Sequence, residues 1–298
     1  MRNLKRALSL ALAAIMLVGM MVVSASAASY NNLTDKDEIV NKDAVSMLVS
    51  LGIIEGKPDG SYGPTENVDR AQMAKMLSVI MNKGVDNSAL YQSVNSGLVD
   101  VNTNWAKGHI NYCYTTGIIA GRGNGKFDPS ATVTALEAAK MLLVAVGYDP
   151  AIEGFEGADW AINVSVRADE QGIFEGFTKD LSAPLNRDDA ALLIYNALDV
   201  EMIQSYTTNN YPIAYSDHRT ILADKYGVIK VQGVVVANEW ASLASDDGDA
   251  ALKEGKTTIY NGEGIFSTTG NTTVSKEDAS LKTQTFNVST PVDMLGKT

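Results

Sequence analysis

Arg70 and Arg187 each follow a short polar residue, Asp69 or Asn186, where a loop rich in Gly, Pro, Asp and Asn gives way to helical periodicity. A guanidinium at such a point offers a planar fork that grips a carboxylate through two hydrogen bonds. The helix start adds the positive end of a dipole and free N–H groups. The chemistry indicated is the holding of an anion. The structural alternative for Arg70 is an ion pair with Asp69 or Glu66, and for Arg187 neutralisation by Asp188 or Asp189. Trp105 and Trp160 offer flat apolar faces that either line a ligand groove or fill a core. Asp35 and Asp100 cap a helix or accept hydroxyls of a ligand, capping being preferred, and Lys57, Arg122 and Lys126 are further basic candidates.

Other chemistry finds little support. The two histidines, His109 and His218, are far apart in sequence and make neither a metal cluster nor a triad. The loops PDGSYG and GNGKFD lack the acid ladder and terminal Glu of a calcium loop. GRGNG, residues 121–125, lacks the preceding strand and the spacing of a nucleotide site. Cys113 has no partner for an internal disulfide and reads as a small buried hydrophobe. No catalytic residue, metal or cofactor is expected.

The elements that must position these side chains recur. Gly-Ile-Ile-x-Gly occupies 52–56 and 117–121, and a relative, GIFEG, occupies 172–176. Trp105-Ala106 and Trp160-Ala161 stand at one common distance before Gly117 and Gly172, and Val40 keeps that distance before Gly52. Asp69 and Thr134 likewise share one offset after their glycines, whereas Asn186 comes three residues sooner, so the third loop is shorter. The pattern predicts three helix–loop–helix units over 30–84, 95–148 and 153–200.

Within each unit a first helix carries an apolar stripe, such as Val40, Ala44, Met47, Leu48 and Leu51, or Trp105, His109, Tyr112 and Cys113. The glycine ends it. A compact loop follows, in which an aromatic two residues before Pro plugs the core. The second helices open on Asp69-x-x-Gln72, Thr134-x-x-Glu137 and Asn186-x-x-Asp189, the spacing of a reciprocal capping box. Met73, Met76, Leu77 and Ile80 then predict a buried face, repeated at Ala138, Met141, Leu142 and Ala145 and at Ala190, Leu193, Ile194 and Ala197. One such unit has too little core to stand alone, so three should pack together.

The order Leu98-Val-Asp100, Trp105-Ala106, Gly117-Ile-Ile-x-Gly121, Phe127-Asp-Pro129 and Val133-Thr134 resembles the S-layer homology (SLH) domain, over about residues 30–200. The resemblance implies a pseudo-threefold helical bundle that attaches an exported protein non-covalently to secondary cell-wall polysaccharide, often pyruvylated, through grooves between units. The family signature at the second helix is Thr-Arg-Ala-Glu, with the Arg in ligand binding. Here Asp69-Arg70-Ala71-Gln72 keeps the Arg, Thr134-Ala135-Leu136-Glu137 keeps the Glu without an Arg, and Asn186-Arg187-Asp188-Asp189 keeps the Arg with a shorter acid. Candidate polysaccharide-binding residues are therefore Arg70, Gln72, Asp69, Trp105, Thr134, Glu137, Trp160, Arg187 and Asp100. At most two full-strength sites are expected.

Residues 1–27 have the form of a signal peptide: Arg2, Lys5 and Arg6, an apolar run from Ala7 to Val23, then Ala25-Ser26-Ala27. Its removal takes three cations and no acid, so the net charge of −11 becomes −14. Such a surface repels nucleic acid and anionic lipid. The expected partner is wall polysaccharide linked to peptidoglycan, in a secreted protein of the cell wall or S-layer of a thick-walled bacterium, with self-association in a surface lattice. No membrane partner is expected after cleavage. Residues 201–225 read as a linker with a short packed segment, and 226–298 as a small mainly-β domain with strands at Tyr226–Ala237, Thr257–Tyr260 and Gln284–Val288, continuing past Thr298. The expected role is structural, with a wall anchor for a polysaccharide-degrading enzyme as the alternative.

Overall fold

The computed structural model describes residues 29–228, 233–243, 251–260 and 283–297. The expected signal peptide, residues 1–27, lies outside the described residues, and among these no helix is long and apolar enough to cross a membrane. The chain divides into two compact units at Val200.

The first unit contains α1 (Lys42–Ser50), α2 (Arg70–Met81), α3 (Lys107–Thr115), α4 (Ala135–Val146), α5 (Trp160–Glu170) and α6 (Arg187–Ala197). The first helix of each pair stops where Gly52, Gly117 or Gly172 takes a positive φ of 70°, 78° or 70°. The following isoleucine N–H then turns back to the helix: Ile53 to Leu48, Ile118 to Cys113 and Ile173 to Ala168. Glycine suits this left-handed end because it has no Cβ to clash.

The helices exchange partners between units. Helix α2 packs on α3, α4 on α5, and α6 on α1, with α4 also against α6. Every apolar position expected on the faces of α2, α4 and α6 is buried. The first helices depart from expectation, and Met47, Leu51 and Tyr112 are only half-buried. Val40 is 82% exposed and Trp105 58% exposed, because both precede the first turn of their helices; the buried stripe of α1 is Ala44, Val45, Leu48 and Val49. Cys113 is fully buried, and its thiol is pushed up in pKa by that burial.

The residues just before the three second helices close a ring. Val133 N–H donates to Val68 O (2.9 Å), Val68 N–H to Leu185 O (2.8 Å), and Leu185 N–H to Val133 O (2.8 Å). All three side chains are buried. The ring leaves none of these interior amides unpaired, and a donor lost from it would leave a carbonyl orphaned.

The helix starts are capped as the spacing predicts in two cases. Asp69 with Gln72 and Thr134 with Glu137 form complete capping boxes. The third is one-sided: Asn186 accepts from the Asp189 N–H, but the shorter Asp189 carboxylate pairs instead with Lys179. Asp35 and Asp100 cap no helix through their side chains. Asp35 accepts the N–H groups of Tyr62 and Gly63, and Asp100 those of Phe127 and Asp128, each tying a loop to the start of its own unit. Tyr62 and Phe127 fill the core as expected of the loop aromatics.

After Val200 the chain holds more regular structure than the expected linker with a short packed segment followed by strands. Strand β1 (Ile203–Tyr206) pairs antiparallel with β2 (Pro212–Ala214), and α7 (Ile221–Tyr226) is capped by Thr220 and ended by Gly227 at φ 63°. Tyr226, expected at the start of a strand, therefore closes a helix. Strands β3 (Val234–Asn238), β4 (Thr257–Tyr260) and β5 (Thr283–Phe286) form an antiparallel sheet in that order. Residues 229–232 of the expected first strand lie outside the described residues.

Two measurements test this core. Val133→Pro removes one N–H from the ring and should cost at least about 1–3 kcal/mol in urea unfolding, the usual cost of an orphaned buried group. His109 supplies the second: it is 4% exposed, with Nδ1 2.6 Å from Ser78 Oγ and Nε2 3.6 Å from Asp86 Oδ2. Burial lowers its pKa, aided by Lys75 and opposed by Asp86. The unfolded chain then binds the proton more readily, so stability should fall as pH drops below about 6.5 and level off below the folded value. Thermal unfolding of His109→Gln should lose the part of the slope that begins below about pH 6.5.

Candidate functional site

Arg70, at the first position of α2, is only 5% exposed. Its Nε donates to Phe127 O (2.8 Å), one terminal nitrogen donates to Ala120 O (2.8 Å), and the guanidinium lies 4.3 Å from the centre of the Phe127 ring. Burial lowers its pKa to about 10, with Arg122 adding to the effect, and it remains a cation at neutral pH. Neither Asp69 nor Glu66 is its partner: Asp69 caps α2 and Glu66 pairs with Lys57.

Arg187 repeats this arrangement one interface on. Its Nε donates to Tyr62 O (2.8 Å), its Nη2 to Glu55 O (3.3 Å), and it sits 4.7 Å from the Tyr62 ring. Asp188 does not neutralise it but accepts from Asn41 before α1, and Asp189 pairs with Lys179. Both arginines thus lock the loop of a neighbouring unit through an aromatic ring and two carbonyls. At the third interface the loop position of Tyr62 and Phe127 is Lys179, which offers no ring and a like charge; Ala135 stands where the arginine would be.

A groove of about 430 Å³ opens beside Arg70, where the loop and α4 of the second unit meet the entry to α5. Its polar lining is Arg70, Arg122, Lys140, Glu137 and Glu156, with Trp160 on one wall. Arg122 is paired with Glu137 at 2.7 Å, and the other oxygen of Glu137 accepts the Thr134 N–H at 3.2 Å. Lys140 donates to Phe155 O at 2.5 Å and lies 5.8 Å from the Trp160 ring. Burial lowers the lysine pKa, Arg70 adds to this, and Glu156 opposes it. Three cations against two carboxylates make this groove positive within a chain of net charge −11. The loop can approach so closely because residue 121 is glycine: a Cβ there would come within 2.8 Å of Lys126 O.

Of the expected residues, the fold brings Arg70, Glu137 and Trp160 together in this groove. Asp69, Gln72 and Thr134 serve the capping boxes, and Arg187 belongs to another interface. Trp105 lies edge-on to His109 with ring centres 6.4 Å apart. Asp100 braces its own loop; burial opposes its ionisation, but the Phe127 and Asp128 N–H groups and Lys126 outweigh that and hold its pKa below the usual carboxylate value. Lys140 and Glu156 were not expected. The lysine has a sequence signal, since Lys75 holds the same register in α2, where it pairs with Glu55 at 3.4 Å. Among the described residues no cluster suited to a metal occurs.

Arg70→Met keeps the length of the side chain but abandons two carbonyls. It should destabilise the fold by about 2–4 kcal/mol in urea unfolding, as expected for lost hydrogen bonds to a charged donor. Lys140→Met, at a half-exposed site, should change stability by less than about 1 kcal/mol.

The model of the S-layer homology domain matches residues 32–74 and 99–139. The chain thus carries S-layer homology sequence over its first two helix pairs, and its third helix pair lies outside the matched stretches. A cell surface protein of Thermoanaerobacter kivui is 28% identical over 90% of this chain and 32% of its own length. A middle cell wall protein of Brevibacillus brevis is 27% identical over 80% of this chain and 22% of its own. An amylopullulanase of Thermoanaerobacterium thermosulfurigenes is 31% identical over 53% of this chain and 9% of its own. The chain spans at most about a third of the length of these relatives.

Proposed function

We propose that the SLH region holds an exported protein at the cell wall by binding an acidic, pyruvylated secondary wall polysaccharide in the groove between the second and third units. The observation that carries this is a cluster of three cations beside a half-buried aromatic wall, in a chain that is otherwise acidic. Lys140 and the free donors of Arg70 and Arg122 would hold the carboxylate of a pyruvyl ketal, and Trp160 would stack on the apolar face of the pyranose. Glu137 keeps Arg122 pointing into the groove and can accept a sugar hydroxyl. No group here transforms the ligand.

In this reading the three helix pairs form a pseudo-trimer, which the closed backbone ring supports. The Arg187 interface is a second, weaker site, because its lysine at the register of Lys140 is paired with Glu55. The interface built around Ala135 binds nothing. The SLH region displays a β-rich segment in a non-enzymatic protein of the wall or S-layer, and displayed copies associate in a surface lattice. Matches to surface and wall proteins over most of the chain support this. The amylopullulanase, which matches over about half of it, supports the second reading, an anchor for a polysaccharide-degrading enzyme.

The full chain should be retained on purified wall sacculi and lost when hydrofluoric acid has stripped their polysaccharide; equal retention on stripped walls overturns the proposal. Lys140→Ala and Trp160→Ala should each weaken binding to the released polymer by roughly 10-fold or more, the scale of one charge-assisted hydrogen bond or one stacked ring. Ala135→Arg should leave it unchanged.

A further inference from the structure

A second cavity, of about 500 Å³, lies in the loop of the second unit and shares Arg122 with the groove. Asp100, Asn124, Lys126, Asp128 and Ser130 form its other polar walls. Both volumes fall within the range of about 300–1,000 Å³ common for ligand sites.

The related loops differ at this place. Lys57, at the register of Arg122, pairs in the first unit with Glu66. The counterpart of Glu66 in the second unit is Ala131, and Arg122 pairs with Glu137 instead. In the third unit the loop is three residues shorter.

Two residues within it hold conformations that a side chain disfavours. Asp128 has φ 62° where the first unit has Gly63 at 73°, and Asn124 has φ 51°. Neither fold nor turn requires a carboxylate at 128, since the first unit builds the same turn with glycine. The side chains of Asn124, Lys126, Asp128 and Ser130 form no hydrogen bond or salt bridge among the described residues. Asp100 is oriented by two backbone N–H groups and keeps lone pairs for another donor.

We propose that this cavity is a second sugar subsite, taking the residue next to the one in the groove, with Arg122 between the two. The proposal rests on the glycan reading of the groove. Alternating donors and acceptors suit the hydroxyls or acetamido group of a neutral sugar, and two cations balanced by two aspartates give the cavity none of the positive excess of the groove. The protein would thus read at least two successive residues of the polymer.

The test uses the full chain and size-fractionated fragments of the polysaccharide released by hydrofluoric acid from the producing strain, titrated calorimetrically. Fragments of two or more repeating units should bind about 10-fold tighter than the shortest, the worth of one or two further hydrogen bonds. Asp128→Gly and Asn124→Gly suit the local φ and should leave the melting temperature at or above wild type. They should reduce the length preference to under about twofold while leaving the shortest fragment unaffected. Absence of a length preference in the wild type overturns the subsite, as does a loss in the variants that is equal for all fragments, or a preference that survives both. If no fragment binds the wild type, the groove reading itself falls, a separate result.

Discussion

Three backbone hydrogen bonds, linking Val68, Leu185 and Val133 in a closed circuit, are the constraint on which the first unit depends. Each joins the residue just before one second helix's N-cap to its counterpart in another helix pair. Helices α2, α4 and α6 all start at this ring, and they receive α3, α5 and α1 respectively. Each helix pair buries its apolar faces largely against its neighbours, so none has a complete core of its own.

The arginines extend the same logic outward. Arg70 and Arg187 each reach into a neighbouring loop, lie against its aromatic ring and hold two of its carbonyls. A guanidinium is apt here because it is flat enough to stack and carries donors beyond those the loop consumes. Structural and ligand roles are therefore not alternatives at Arg70. The loop is held by one part of the fork, at the edge of the groove that the rest can face.

Divergence among the related interfaces gives the molecule its asymmetry. With Phe127 in the loop and Ala131 in place of an acid, Arg122 borders a groove that is open and positive. With Tyr62 and Glu66, Lys57 is consumed in an ion pair. With Lys179, the arginine is absent and the lysine is neutralised by Asp189. The same backbone plan thus yields one open basic groove, one paired interface and one without an arginine.

By itself the sequence determined the repeat, the glycine stops, the capping boxes at Asp69 and Thr134 and the buried faces of α2, α4 and α6, because each depends on residues within a few positions of one another. It also marked Arg70, Glu137 and Trp160. What it could not convey was where long side chains end: that Arg70 lies on Phe127, that Asp100 braces a loop and caps no helix, and that Lys140 joins Trp160. Those outcomes depend on segments 15 to 57 residues away brought close by the ring. The region after Val200 was less legible, because Thr220 and Gly227 cap a short helix that β-branched neighbours obscure. Local spacing set the elements, and tertiary packing decided which charges were spent on the fold and which were left facing a groove.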